Sequence, residues 1–136
     1  MTYVTQLRCT KCGRTYAPKD RALKCEEDDG RLDVDYDYDS IASHTDREVF
    51  EQRGGGLWKY RELLPIENER NIVTLGEVQT PLIQCENLGK TFGLRNLYVK
   101  DETKSPTASF KDRPMTVGVS KAVELGFDTV VSASSG

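Results

Sequence analysis

The stretch that decides the fold runs from residue 105 to residue 114 and reads SPTASFKDRP. Pro106 and Thr107 suit a turn, and the hydroxyl-rich loop leads to Lys111, where a helix is predicted to begin. The positive end of a helix dipole disfavours the ammonium form of an amine placed there. A lysine that attacks a carbonyl must be in its free-amine form. The stretch therefore predicts a turn, a helix start, and an amine suited to imine formation.

Two arrangements of this helix start remain open. In the first, Ser109 and Asp112 form a capping box of the S-x-x-D type, and Lys111 lies in the first turn. In the second, Asp112 caps the helix and Lys111 lies just before it. Pro114 then falls in the first turn, where proline is tolerated. Lysines at helix ends are common, so the spacing alone favours an ordinary surface role for Lys111.

The residues around this stretch predict a strand–helix–strand unit. Residues 97–100 read as a strand, and residues 112–125 carry apolar side chains at roughly helical spacing, with Gly126 as the C-terminal cap. Residues 129–132 are expected to form a buried strand. Such a unit within about 35 residues is typical of a right-handed βαβ crossover in a parallel sheet. Residues 134–136 then follow a strand end, where open α/β sheets place their ligands.

Residues 1–40 differ from the rest and predict a small ribbon-like β unit. Cys9 and Cys12 form a CxxC knuckle followed by a glycine, and Cys25 precedes an acidic turn. From residue 33 to residue 39, aspartates alternate with apolar or aromatic residues, which predicts a strand with one buried face. That face would consist of Val34, Tyr36 and Tyr38.

The cysteine pattern is incomplete for a zinc ribbon. Such a ribbon needs two CxxC-type knuckles, and the position three residues after Cys25 is Asp28. Aspartate can ligate zinc, but three cysteines with one aspartate are not a usual structural set. A metal-free ribbon held by its strand face is therefore favoured, with Cys9, Cys12 and Cys25 as the candidate ligands if a metal binds. Cys85 is expected to be a buried small hydrophobe.

Composition limits the classes of function. The chain has 136 residues, of which 37% are hydrophobic and 30% charged, and its formal net charge is -3. These values are typical of a soluble globular protein and argue against a nucleic-acid partner held by bulk charge. No apolar run approaches the roughly 20 residues that span a bilayer. Because no export signal is recognisable, we expect a cytoplasmic protein with reduced thiols.

Three segments are predicted along the chain. Residues 1–40 form a degenerate zinc-ribbon-like segment. Residues 41–71 form a linker with a short helix near residues 57–64, and residues 72–136 form the start of an α/β domain. A parallel sheet needs both faces covered, and the chain offers too few elements to cover one. We therefore expect the chain to be the N-terminal part of a longer protein.

The residue pattern resembles the fold-type II pyridoxal phosphate enzymes, and within that group the threonine synthases. The lysine motif SFKDR at residues 109–113 is preceded by Pro-Thr and followed by SASSG at residues 132–136. Further matching pieces are the N-terminal CxxC, WKYRELLP at 58–65, LGE at 75–77, TPL at 80–82 and LYVKDE at 97–102. The resemblance runs over nearly the whole chain, and the lysine motif is specific when joined to the serine loop.

This resemblance implies a pyridoxal 5'-phosphate enzyme, a lyase that converts O-phosphohomoserine and water to threonine and phosphate. Lys111 would be the Schiff-base lysine and proton shuttle, Gly136 would contact the cofactor, and Ser134 and Ser135 would contact the substrate carboxylate. The chain alone is expected to be inactive, since the family's phosphate-binding loop and pyridine-nitrogen partner come later in the sequence. Homo-oligomer formation and a need for the C-terminal part both remain open.

The chain departs from the family pattern at three positions. Where the family usually has Asn-Pro-Thr-Gly-Ser-Phe-Lys, this chain has Ser105 and Ala108, and where it usually has Gly-Glu-Gly, this chain has Val78. Glycines in such loops commonly serve positive φ or close approach, so Ala108 and Val78 are expected to strain the backbone or narrow the pocket. The alternatives are a sister activity on the same fold, such as that of cysteate synthase, and a non-catalytic partial domain.

Overall fold

The chain is a mixed α/β structure with small antiparallel sheets. The structure is a computed structural model that describes residues 2–133. Its strands are β1 (Val4–Cys9), β2 (Thr15–Tyr16), β3 (Leu32–Tyr36), β4 (Leu82–Gln84) and β5 (Tyr98–Lys100). Its α-helices are α1 (Tyr38–His44), α2 (Arg47–Gln52), α3 (Glu86–Phe92) and α4 (Asp112–Glu124). Three 3-10 helices within the same range span Leu57–Leu63, Glu69–Asn71 and Glu102–Lys104. Across residues 2–133, no helix is long and apolar enough to cross a membrane.

The predicted N-terminal ribbon is present as a three-stranded sheet in the order β2-β1-β3. Strand β1 is antiparallel to both neighbours, and Leu7 pairs with Tyr16 on one side and with Val34 on the other. Arg8 and Asp35 join β1 to β3 through two hydrogen bonds of 2.9 and 3.0 Å. The sheet places the ends of β1 and the turn before β3 side by side, which brings the cysteines together.

Strand β3 ends earlier than the alternating pattern predicted. Asp37 caps α1, because its carboxylate accepts the Ser40 N–H at 2.9 Å and the Ser40 hydroxyl at 2.6 Å. Tyr38 therefore begins a helix and is 63% exposed. Of the predicted buried face, Val34 and Tyr36 are half-buried and Tyr38 is exposed. Alternation alone does not reveal this, since an aspartate three residues before a serine also suits a helix cap.

The segment between the two sheets holds more helix than predicted. Besides α1 and α2, the predicted short helix is present as a 3-10 helix, Leu57–Leu63, which kinks at Tyr60 and ends before Pro65. Arg53 and the buried Glu62 form two hydrogen bonds of 2.6 and 2.8 Å across this segment. The pair holds the Gly-rich turn between them in place.

The predicted parallel βαβ unit is wrong for the residues that the structure describes. Strand β5 pairs with β4 in antiparallel fashion, with Leu82 opposite Lys100. Residues 129–132 form no strand, and Val131 is 91% exposed. A strand exists only beside a hydrogen-bonding neighbour, and no segment within residues 2–133 pairs with these residues.

The predicted helix over residues 112–125 is confirmed as α4. Helix α3 ends at Gly93 with φ of 67°, and α4 is followed by Gly126 with φ of 71°. Both glycines occupy the left-handed conformation that commonly ends a helix.

Helix α4 buries a polar stripe rather than an apolar one. Its buried residues are Asp112, Thr116 and Ser120. The Ser120 hydroxyl accepts the Val73 N–H at 2.8 Å and donates to the Thr116 carbonyl at 2.6 Å. The Thr116 hydroxyl donates to the Val73 carbonyl at 2.5 Å. Helix α4 is therefore fixed to the chain before β4 by hydrogen bonds, while Met115 on its other side is 37% exposed.

Candidate functional site

Lys111 lies immediately before α4. Its backbone is helical, with φ of -62° and ψ of -20°, and its carbonyl accepts the Met115 N–H at 3.1 Å. The helix begins at Asp112, so Pro114 falls in the first turn, as in the second predicted arrangement. The half-buried Lys111 places its Nζ 4.8 Å from the ring centroid of Phe110. Within residues 2–133, no carboxylate pairs with this amine.

Neither of the predicted caps forms at this helix start. The Ser109 hydroxyl accepts the Lys111 N–H at 3.2 Å, and α4 has no side-chain cap. The Asp112 carboxylate instead accepts the Thr107 N–H at 2.8 Å and the Thr107 hydroxyl. Asp112 is only 6% exposed. Both cap predictions are wrong because this carboxylate turns back and holds the loop before Lys111.

That loop contains a β-turn followed by a strained residue. The Ala108 N–H donates to the Ser105 carbonyl at 2.8 Å, and Pro106 takes the second position of the turn, which it favours. Ala108 has φ of 57°, so the strain expected from the missing glycine is confirmed there. Among the described residues, only Asp29 and Ala108 combine positive φ with a side chain, so strain at Val78 is not present.

An ion pair anchors the start of α4 to the second sheet. Arg113 donates from Nε and Nη2 to the two carboxylate oxygens of Glu102 at 2.9 and 3.1 Å. The hydroxyl of the buried Thr80 donates to Glu102 at 2.7 Å and accepts from Arg113 at 3.2 Å. The Arg113 side chain holds the pKa of Glu102 at about 2. Thr80 precedes β4 and Glu102 follows β5, so the network ties Arg113, two residues after Lys111, to that sheet.

Sequence reasoning gave no role to Thr80, Glu102 or Arg113. Arg113 lies 33 positions after Thr80 and 11 after Glu102, and the three residues stand at three different elements, so no periodicity within one helix or strand relates them. The one signal that includes them is the resemblance, because Thr80 and Glu102 stand in the TPL and LYVKDE pieces and Arg113 ends the lysine motif.

The other predicted site residues have separate outcomes. Ser134, Ser135 and Gly136 lie outside the described residues. Cys9, Cys12 and Cys25 are brought together, and Asp28 joins them, with one ligand atom from each lying within 4.8 Å of all the others. Cys85 is half-buried rather than fully buried.

The residues around Lys111 fit a carbonyl cofactor that carries a negative charge. An amine without a carboxylate partner is available to bond to an aldehyde carbon. It stands at the N-terminal end of a 13-residue helix, where the positive end of the helix dipole favours anions. Pro106, Thr107 and Ala108 are exposed, so the loop leaves this end of the helix open.

Comparison with known proteins agrees with this geometry. Residues 73–136 match the family model described as pyridoxal-phosphate dependent enzyme. The threonine synthase of Methanocaldococcus jannaschii is 47% identical over 129 residues, which are 95% of this chain and 32% of that relative. The threonine synthase of Methanosarcina acetivorans is 48% identical over 130 residues, which are 96% of this chain and 31% of that relative. The threonine synthase of Halalkalibacterium halodurans is 50% identical over 82 residues, 60% of this chain and 23% of the relative.

The chain spans about a third of the length of the first two of these curated relatives. The match over residues 73–136 includes Lys111, its loop and the Arg113–Glu102 network. The match to that family model implies pyridoxal phosphate as the cofactor. The chain is thus similar to the pyridoxal-phosphate dependent enzymes over residues 73–136, and to threonine synthases over 95% of its length.

Proposed function

We propose that a protein containing this chain converts O-phosphohomoserine and water to threonine and phosphate. The observation that carries the proposal is the position of Lys111 at the start of α4, with a free amine in a chain similar to threonine synthases. Under this proposal the reaction belongs to the lyase class and the substrate is a small molecule. Neither nucleic acid nor a membrane takes part. The proposal also includes a cytoplasmic location, since the four cysteines are free thiols.

Lys111 would hold the cofactor through its Nζ and would move protons at Cα and Cβ of the substrate. When bound, pyridoxal phosphate supplies an electron sink for negative charge that develops on the substrate. Gly136 would contact the cofactor, and Ser134 and Ser135 would contact the substrate carboxylate. Ser109 and the Arg113–Glu102 pair would orient the backbone at Lys111, because each is bonded within two residues of it.

The 136-residue chain alone is proposed to be inactive. It contains the lysine and its supporting network, yet it spans only 32% of the length of a similar threonine synthase. A homo-oligomer, or the additional length found in the relatives, is the proposed source of the remaining contacts. The competing proposals are a sister reaction such as that of cysteate synthase and a non-catalytic role.

Cofactor capture by Lys111 can be tested on the chain itself. We expect incubation with pyridoxal phosphate followed by borohydride to attach the cofactor to Lys111, as identified by peptide mass spectrometry. Lys111→Ala should lose the label, whereas Lys104→Ala, which changes an exposed lysine in the same region, should keep it. Labelling spread equally over surface lysines would contradict the role of Lys111.

The reaction itself requires a protein that combines this chain with the length present in the relatives. We expect that protein to release phosphate and threonine from O-phosphohomoserine, and the isolated chain to release neither. O-phosphoserine, which is one methylene shorter, is the comparison substrate. Preferred turnover of the shorter substrate would favour the sister reaction, and turnover of neither would favour a non-catalytic role.

A further inference from the structure

Four potential metal ligands converge in the N-terminal ribbon. The Cys9 Sγ lies 3.3 Å from a carboxylate oxygen of Asp28, and the Cys12 Sγ lies 3.6 Å from the Cys25 Sγ. In a tetrahedral zinc site with Zn–S bonds of about 2.3 Å, two sulfurs are about 3.8 Å apart, and a sulfur and a carboxylate oxygen are about 3.5 Å apart. These two separations are close to the corresponding edges of such a tetrahedron, and all four ligand atoms lie within 4.8 Å of one another.

The two halves of this cluster have the same backbone structure. In the first knuckle, the Cys9 N–H donates to the Arg14 carbonyl at 2.8 Å, and the Gly13 N–H donates to the Cys9 carbonyl at 3.1 Å. In the second knuckle, the Cys25 N–H donates to the carbonyl of residue 30 at 2.8 Å, and the N–H of residue 29 donates to the Cys25 carbonyl at 3.0 Å. The two sets of bonds have identical spacing.

The residue after the second ligand has positive φ in both knuckles. The value is 78° at Gly13 and 55° at Asp29. At Asp29 this backbone conformation is unfavourable for a residue that has a side chain, which indicates that the surrounding contacts hold the turn. Asp28 thus occupies the position in the second knuckle that Cys12 occupies in the first.

Donors from outside the cluster are directed at the ligand atoms. The Lys11 N–H donates to the Cys9 Sγ at 3.3 Å, the Tyr16 hydroxyl to the Cys25 Sγ at 3.3 Å, and the residue-30 N–H to Asp28 Oδ1 at 2.8 Å. Such bonds to ligand atoms are typical of metal sites, where they fix the orientation of the ligands. Cys9 and Cys25 are 2% and 0% exposed, so two of the four ligands are shielded from solvent.

Gly30 closes the site on one side. A Cβ at this position would lie 2.6 Å from the Cys9 Sγ and 2.8 Å from Asp28 Oδ1. Both distances are shorter than side-chain carbons tolerate, so residue 30 is kept without a side chain by the ligand atoms themselves. Gly30 is buried, and the Cys9 and Asp28 ligand atoms occupy the space that a side chain would need.

We propose that Cys9, Cys12, Cys25 and Asp28 bind one structural Zn²⁺ ion. The unusual ligand set argued against zinc from the sequence, and the equivalence of the two knuckles argues for it. Three cysteine sulfurs favour zinc over hard cations such as Mg²⁺ or Ca²⁺, which prefer oxygen ligands. Four protein ligands leave no open position, so the site is structural rather than catalytic. Zinc would link β1 to the turn before β3, in a sheet too small to bury a large apolar core.

Metal analysis of the purified 136-residue chain tests this site. We expect one zinc per chain, which Cys12→Ser abolishes and Asp28→Ala weakens by about 100-fold or more. Cys85→Ser removes a cysteine outside the cluster and should leave the zinc content unchanged. Asp28→Cys completes a four-cysteine set and should retain one zinc even if other variants fail to fold. Gly30→Ala should lower the affinity for zinc, because its methyl group would displace two ligands.

Cobalt substitution provides a second readout that counts the thiolates. We expect Co²⁺ to give thiolate charge-transfer absorption in the wild type, and Asp28→Cys to raise its intensity by about a third as three sulfurs become four. Iron in place of zinc, a wild-type chain that binds neither Zn²⁺ nor Co²⁺, or a disulfide between Cys12 and Cys25 in the reduced preparation would each overturn the proposal. So would an unchanged zinc content in Cys12→Ser.

Discussion

Arg113 and Glu102 form a bidentate ion pair, with distances of 2.9 and 3.1 Å, that joins the first turn of α4 to the residue two positions after β5. Lys111 lies two residues before Arg113 on the same helix start. The position of the lysine therefore depends on a contact between residues that are 11 positions apart, and not on the local sequence alone.

Removing this pair should impair cofactor capture without removing the lysine. We expect Arg113→Gln to slow the attachment of pyridoxal phosphate to Lys111 by about 10- to 100-fold, because small displacements of a reacting group carry penalties of this size. The measurement is the rate of borohydride-stable labelling. Arg95→Gln changes an exposed arginine and is the matched control. Equal rates in the two variants would show that the pair does not position Lys111.

The same pair predicts a pH dependence of stability. The folded-state pKa of Glu102 is about 2, below its ordinary value of 4.5, because the Arg113 side chain favours the carboxylate. The stabilisation is complete above pH 4.5 and is lost as the pH falls toward 2. We expect the difference in denaturation midpoint between wild type and Glu102→Gln to shrink across this window. Glu48→Gln, at an exposed position of α2, controls for the loss of one carboxylate, and a difference that stays constant with pH would contradict the prediction.

Ala108 offers a test of backbone strain. Its φ of 57° suits glycine better than alanine, so Ala108→Gly should raise the free energy of unfolding by up to about 1 kcal/mol. The same exchange at the exposed Ala42 in α1 should lower it by about 0.5–1 kcal/mol, because glycine weakens a helix. Chemical denaturation of the two variants measures both changes. A loss of stability in both would show that Ala108 is not strained.

Asp112 should matter for the loop rather than for the helix cap. Asp112→Ala leaves the Thr107 N–H without its acceptor, and we expect a cost of about 1–3 kcal/mol in the free energy of unfolding. Asp39→Ala, at an exposed position in the first turn of α1, should cost less than about 1 kcal/mol. Amide hydrogen exchange at Thr107 gives a local measurement. Unchanged protection in Asp112→Ala would contradict the assigned bond.

Features that depend on near neighbours could be predicted from the sequence. Gly93 and Gly126 set the ends of α3 and α4, since a left-handed residue after a helix is a local requirement. The N-terminal ribbon followed from the knuckle and the alternation, and Lys111 was placed at a helix start by the turn before it and by Pro114. The lysine motif and its flanking pieces indicated the resemblance to pyridoxal phosphate enzymes, because each piece is a short run of consecutive residues.

Features that depend on distant partners were decided by the tertiary structure. Residues 129–132 have the composition of a strand but no partner within the described chain, and β5 pairs antiparallel with β4. Asp112 bonds to Thr107 rather than capping its helix, since a carboxylate binds whichever N–H groups the fold brings near it. Asp28 looked like a missing cysteine in the sequence. Only the matching turns of the two knuckles, in which Cys12 and Cys25 are 13 positions apart, place its oxygen where a fourth ligand belongs.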